Sequence, residues 1–206
     1  MTTDELLDLA TVIPVVVLDD ADEAVPLARR LVADGMPVIE VTLRTAAALD
    51  AIAAIAAEVP DAVVGAGTIL SPAQARDAIA AGAEFLVSPG ATPALLDALA
   101  DLPLLPGVAT PSEVMALLER GITSAKFFPA EANGGVTALK ALHGPFPQMR
   151  FCPTGGITAA NAQDYLALPN VACVGGTWML YPADSARRRP VTAHTENASA
   201  SSTATP

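Results

Sequence analysis

The feature that most constrains this chain is a strict alternation of short apolar runs with helical segments, repeated eight times. The runs are "VIPVVVL" (12–18), "VIEVTL" (38–43), "VVGAGT" (63–68), "FLVSPG" (85–90), "LLPGVA" (104–109), "SAKFFPA" (124–130), "RFCPTGG" (150–156) and "VACVGGT" (171–177). Between them lie Ala/Leu-rich stretches with apolar residues at intervals of three and four, as at Ala46, Leu49, Ile52, Ala53 and Ala56. Helix stops recur as Gly35, Gly82 and Gly121, placed where a left-handed C-cap precedes a strand. Helix starts recur as Ser71-Pro72, Thr92-Pro93 and Thr110-Pro111, with a side-chain cap followed by proline at the first helical position. Strands joined through helices must run parallel, with the helices covering the sheet. Eight such units predict an α/β fold, a compact (β/α)8 TIM barrel with an N-terminal helix. A doubly wound sheet is the alternative, but its phosphate loop should follow the first strand, and "VLDDADEA" there contains no glycine.

Residues 1–184 read as this one barrel. After "GGTWMLYPAD" an eighth helix is due, yet "SARRRPVTAHTENASASSTATP" has no apolar stripe, so 185–206 read as a disordered tail. The longest apolar run, Val12–Leu18, is far short of the roughly 20 residues needed to cross a bilayer. The acidic start "MTTDELLDLA" lacks the basic flank of a secretory signal. A net charge of −11 argues against nucleic acid and anionic membranes as partners. Cys152 and Cys173 each fall within a strand and read as buried thiols, which fits a reducing, cytoplasmic setting. With two cysteines, two histidines and no CxxC pair, soft metal ligands are few.

Side chains on a strand alternate between faces. In "VIEVTLR" the apolar face of Ile39, Val41 and Leu43 must meet helices, which turns Glu40, Thr42 and Arg44 inward. In "SAKFFPA" the same parity sets Ser124, Lys126 and Phe128 inside. Lys126 stands out because the chain has only two lysines, the other being Lys140. Thr68 and Thr154 end strands at the rim where barrels of this type place their sites. Ionised groups inside a barrel lose hydration worth several kcal/mol each. A self-satisfied buried pair is one reading of Glu40, Arg44 and Lys126. Chemistry is the other. Burial and a nearby cation favour the neutral form of a lysine amine, which attacks a ketone to form a Schiff base. A carboxylate in reach moves the protons, and a forked arginine suits a substrate carboxylate. That set reads as reversible carbon–carbon cleavage beside a 2-oxo acid. "PTGGIT" and "VGGTW" add exposed backbone N–H groups after the last two strands, where barrels bind phosphate.

The motifs "IEVTLRT", "GAGTIL", "SPG", "KFFPAEANGG" and "FCPTGGI" resemble the bacterial 2-keto-3-deoxy-6-phosphogluconate (KDPG) aldolases, often bifunctional with 4-hydroxy-2-oxoglutarate (KHG) aldolase. The resemblance covers about residues 5–182. It implies a class I aldolase, trimeric, needing no metal or other cofactor and acting in the Entner–Doudoroff pathway on a phosphorylated 2-oxo acid. It implies Lys126 as Schiff-base former, Glu40 as proton carrier, and Arg44, Thr68, Thr154, Phe128 and Pro89 as substrate contacts. Gly155, Gly156, Gly176 and Thr177 would hold the phosphate. Thr177 replaces a frequent serine but keeps the hydroxyl. The family chain normally closes with a helix, so the switch from "PAD" to "SARRRPVT" suggests a replaced ending, such as a change of reading frame produces. Three readings compete with the leading one: an aldolase for the phosphogalactonate epimer, a non-covalent phosphate-binding isomerase or synthase, and a barrel serving only for binding or assembly.

Overall fold

A computed structural model describes residues 2–180. The expected barrel limit at residue 184 and the expected tail lie outside those residues. Parallel strands β1 (Val12–Val16), β2 (Val38–Thr42), β3 (Val63–Gly67), β4 (Phe85–Val87) and β5 (Leu104–Leu105) pair in sequence order. Strands β6 (Gly107–Val108), β7 (Ser124–Phe127) and β8 (Arg150–Pro153) continue the order, and β9 (Val174–Gly176) returns to β1 through Val12 opposite Val174. β5 and β6 are one barrel strand broken at Pro106, which has no N–H for a ladder. Its first half pairs with β4 and its second with β7. Single bridges, Phe151 to Val171 and Thr154 to Gly175, join β8 to β9 and complete the ring. The eight expected barrel strands are therefore present, in the expected order.

Helix α1 (Thr3–Asp8) precedes β1. Helices α2 (Ala24–Ala33), α3 (Ala48–Glu58), α4 (Pro72–Ala80), α5 (Pro93–Ala98), α6 (Pro111–Leu118), α7 (Gly135–His143) and α8 (Ala162–Leu166) lie in the seven crossovers. The punctuation read from sequence holds. Ser71, Thr92 and Thr110 each accept a backbone N–H three residues on. Gly35, Gly82 and Gly121 have φ of +80°, +99° and +72°. Asn133 ends a 3-10 turn that precedes α7. The cap of α7 is Gly134 at φ +92°, and the Asn133 side chain donates to the Pro129 carbonyl at 2.8 Å.

Two cores result from the strand alternation. Ile39, Val41, Val64, Ala66, Leu86, Ala125, Phe127 and Phe151 face the helices. Ile13, Val38, Phe85, Val87, Leu105, Cys152 and Cys173 fill the barrel, and Leu6 and Leu7 of α1 join them from below. α1 thus plugs the N-terminal mouth. It is held there by Arg150, which donates to Asp8 and lies 3.6 Å from Asp4, and by the Ser124 hydroxyl donating to Asp4. Both cysteines are free and buried. Its hydrogen bond with Cys152, together with burial, pushes the Cys173 thiol well above its ordinary pKa, so it serves as inert filling.

Because the plug is apolar, Leu6→Ala is expected to cost about 3 kcal/mol in urea unfolding. Leu9→Ala, at a position 52% exposed, should stay within about 0.5 kcal/mol. Equal losses at both positions would contradict this assignment of the plug.

Candidate active site

β2 and β7 lie on opposite sides of the barrel, and each sends one charged side chain into it. Lys126 Nζ donates to both carboxylate oxygens of Glu40, at 3.0 and 3.2 Å. The residues are 5% and 3% exposed. The fork fixes the carboxylate plane, so proton transfer between the groups needs no rearrangement. The Phe128 ring, whose centroid is 5.4 Å from Nζ, covers the amine on its outer side.

Space for this pair comes from bare backbone. A Cβ on Gly67 would fall 2.1 Å from Glu40 Oε1 and 2.7 Å from Cγ and Cδ. The carboxylate therefore occupies the volume that any other residue at 67 would fill. Gly175 makes room in the same way for Thr154, whose Oγ1 would lie 2.3 Å from an added Cβ. In the sequence Gly175 stands out only as part of the "VGGTW" anion motif, and Gly67 carries no role of its own. The signal available was "GAG", which puts glycine at two successive inward positions of β3, facing the strand that carries Glu40.

Arg44 is a correction. Simple alternation turns it inward with Glu40 and Thr42, but β2 ends at Thr42 and the chain enters a turn at 43–44. Arg44 is exposed at the rim, and its Nε donates to Thr68 Oγ1 at 3.2 Å. Thr68 is held at φ +61°, a conformation costly for a β-branched residue and one that marks functional sites. Thr42 is buried as expected, but its hydroxyl is spent on the Val16 carbonyl.

At the C-terminal mouth, bordered by the Phe128 ring that neighbours Nζ, opens a cavity of about 140 Å³ lined by Val15, Arg44, Phe128, Thr154, Gly155, Gly156, Ile157, Gly176 and Thr177. Arg44, Phe128, Thr154 and the four expected phosphate residues are thus brought together. Val15 and Ile157 complete the wall and carried no polar signal in the sequence. Thr68 reaches the cavity only through Arg44. Pro89 is not among the lining residues; its backbone sits 2.3 Å from where a Gly107 Cβ would be, which makes it a packing neighbour of β6. Gly155 and Gly156 have φ of +100° and +82°. Among the described residues Arg44 has no carboxylate partner. The cavity therefore offers a guanidinium, hydroxyls and backbone N–H groups, a set suited to an anion.

An amine and a carboxylate that can exchange a proton out of contact with water, beside a mouth suited to bind an anion, are the equipment of a Schiff-base lyase. This barrel is of the class I aldolase type. The family model described as "Aldolase: KDPG and KHG aldolase" matches residues 3–190. The chain is 54% identical over 186 residues to the KHG/KDPG aldolase of Escherichia coli strain K12, covering 89% of this chain and 87% of that one. A KDPG aldolase from Legionella pneumophila, solved with pyruvate captured as a covalent carbinolamine, superposes with a TM-score of 0.85 at 49% identity, covering 87% and 88% of the two chains. The Zymomonas mobilis enzyme solved with 3-phosphoglycerate gives a TM-score of 0.84 at 50% identity, with coverage of 88% and 87%. The chain belongs to the KDPG and KHG aldolase family.

Gly67→Ala is expected to drive the Glu40 carboxylate away from Nζ and lower aldol cleavage by about 10²-fold, the scale of an ångström-level misplacement. A crystal structure of the variant together with its kcat checks this. Full activity with Glu40 in place would show that the carboxylate does not depend on the bare Cα.

Proposed function

We propose that this chain cleaves 2-keto-3-deoxy-6-phosphogluconate to pyruvate and D-glyceraldehyde 3-phosphate through a Schiff base on Lys126. The observation that carries the reading is the two-pronged contact of Nζ with Glu40 inside the barrel. Glu40 accepts a proton from Nζ, and the neutral amine adds to the C2 ketone to give a carbinolamine. Glu40 returns the proton to the departing hydroxyl, water leaves, and an iminium forms. Glu40 then takes the proton of the C4 hydroxyl. The C3–C4 bond breaks, its electron pair flows into the iminium, and the aldehyde departs. The remaining enamine is protonated at C3, and water releases pyruvate and regenerates the amine.

Arg44, oriented by Thr68, and Thr154 hold the carboxylate of the 2-oxo acid. Phe128 keeps water from the iminium. Gly155, Gly156, Gly176 and Thr177 take the phosphate. The resemblance to a carbinolamine-trapping aldolase supports the covalent route over a non-covalent isomerase. The E. coli relative's name supports a second activity, cleavage of 4-hydroxy-2-oxoglutarate to pyruvate and glyoxylate. A homotrimer in the cytoplasm, serving the Entner–Doudoroff pathway, is the setting this reading implies. Among the described residues no helix is long and apolar enough to cross a membrane.

The test is a coupled assay for pyruvate from the phosphorylated substrate. Glu40→Gln should lower kcat by about 10²–10⁴-fold, the usual contribution of a positioned acid/base. Lys126→Ala should leave no turnover above that of Glu40→Gln. Undiminished kcat in either variant would refute the assigned roles.

A further inference from the structure

We infer that Asn161 is a positioning residue for the anion-binding loop and sets how strongly the enzyme favours phosphorylated over unphosphorylated substrate. The inference rests on the phosphate reading above. Asn161 lies just before α8 and does not line the cavity. Its carboxamide spans the loop between β8 and α8. Nδ2 donates to the Gly156 carbonyl at 3.2 Å, while Oδ1 accepts from the Thr158 N–H at 2.7 Å and from the Thr158 hydroxyl at 3.2 Å. The Thr158 N–H needs an acceptor, so the amide can face only one way.

In a trans peptide the N–H points opposite to the carbonyl of the preceding residue. Fixing the Gly156 carbonyl therefore fixes the direction of the Ile157 N–H. The neighbouring plane is fixed likewise, because the Glu131 N–H donates to the Gly155 carbonyl at 3.1 Å, which aims the Gly156 N–H. Among the described residues, neither the Gly156 nor the Ile157 N–H has a protein acceptor, and both residues line the cavity. These are the N–H groups an incoming phosphate would meet. Glu131 is steadied in turn by the Tyr165 hydroxyl, which donates to its carboxylate. Burial and that carboxylate raise the Tyr165 pKa well above the ordinary tyrosine value, so the donor is always present. A side chain on Gly156 would lie 2.5 Å from Glu131 Cγ, so this strap also requires glycine there. Asn161 is the one side chain among these carbonyl partners, since Glu131 acts through its backbone. It can therefore be changed without touching substrate.

The experiment compares wild type with Asn161→Leu and Asn161→Asp on the phosphorylated substrate and on 2-keto-3-deoxygluconate, the same sugar acid without phosphate. The aspartate keeps the shape and the Thr158 contact but has no donor for the Gly156 carbonyl, so it tests the same bond if the leucine variant does not fold. We expect KM for the phosphorylated substrate to rise about tenfold, the loss expected from roughly 1.4 kcal/mol of binding. kcat should change less than about threefold, kcat/KM for the unphosphorylated substrate should stay within about twofold, and inhibition by inorganic phosphate should weaken in parallel. Equal losses on both substrates, or an unchanged preference, would overturn the inference. Absence of any preference in the wild type would instead overturn the phosphate reading itself.

Discussion

The ion pair between Lys126 and Glu40 organises everything around it. Two opposite charges inside a barrel are costly to desolvate and stabilise a fold poorly, whereas leaving one of them alone is worse by about 3–5 kcal/mol. The chain meets that cost with geometry. Gly67 leaves room for the carboxylate, Phe128 shields the amine, and the plug of α1 keeps water from the opposite end. In the proposed mechanism the proton that must leave Nζ before it can attack has an acceptor already in contact, and Glu40 gives it back when the carbinolamine dehydrates. The feature that is poor as a stabiliser is what the chemistry requires.

The layout divides labour along the barrel axis. The N-terminal half is apolar and inert, filled by Leu6, Leu7, Phe85, Leu105 and two thiols. The middle holds the reactive pair. The C-terminal mouth is built from turns, where Thr68 in a left-handed conformation orients Arg44 and two glycines expose N–H groups. Strands fix the reacting atoms because their side chains are locked by packing on both faces. The proposal gives the ends of the substrate to loops because loops can present unpaired backbone donors.

Much of this was legible in the sequence. Strand parity was enough to bring Glu40 and Lys126 into one interior, because both lie well within their strands. The same parity failed for Arg44, which lies two residues past the end of β2, where alternation no longer governs direction. Caps were readable because Ser or Thr followed by Pro, and glycine before an apolar run, act through local sterics. The space-making of Gly67 was not, because it depends on a side chain from another strand, and a glycine does not state what occupies its missing volume. Asn161 was silent for a similar reason, since its role lies in the orientation of a carbonyl five residues away. Pro89 came from family resemblance alone, and its place beside Gly107 gives it a packing role.

The most direct test of the central claim is covalent. The protein would be incubated with pyruvate, reduced with borohydride, digested and mapped by mass spectrometry. The account predicts one reduced pyruvate adduct per chain, on Lys126, with Lys140 unmodified. An unmodified Lys126 under conditions where the enzyme turns over, or an adduct confined to Lys140, would contradict it.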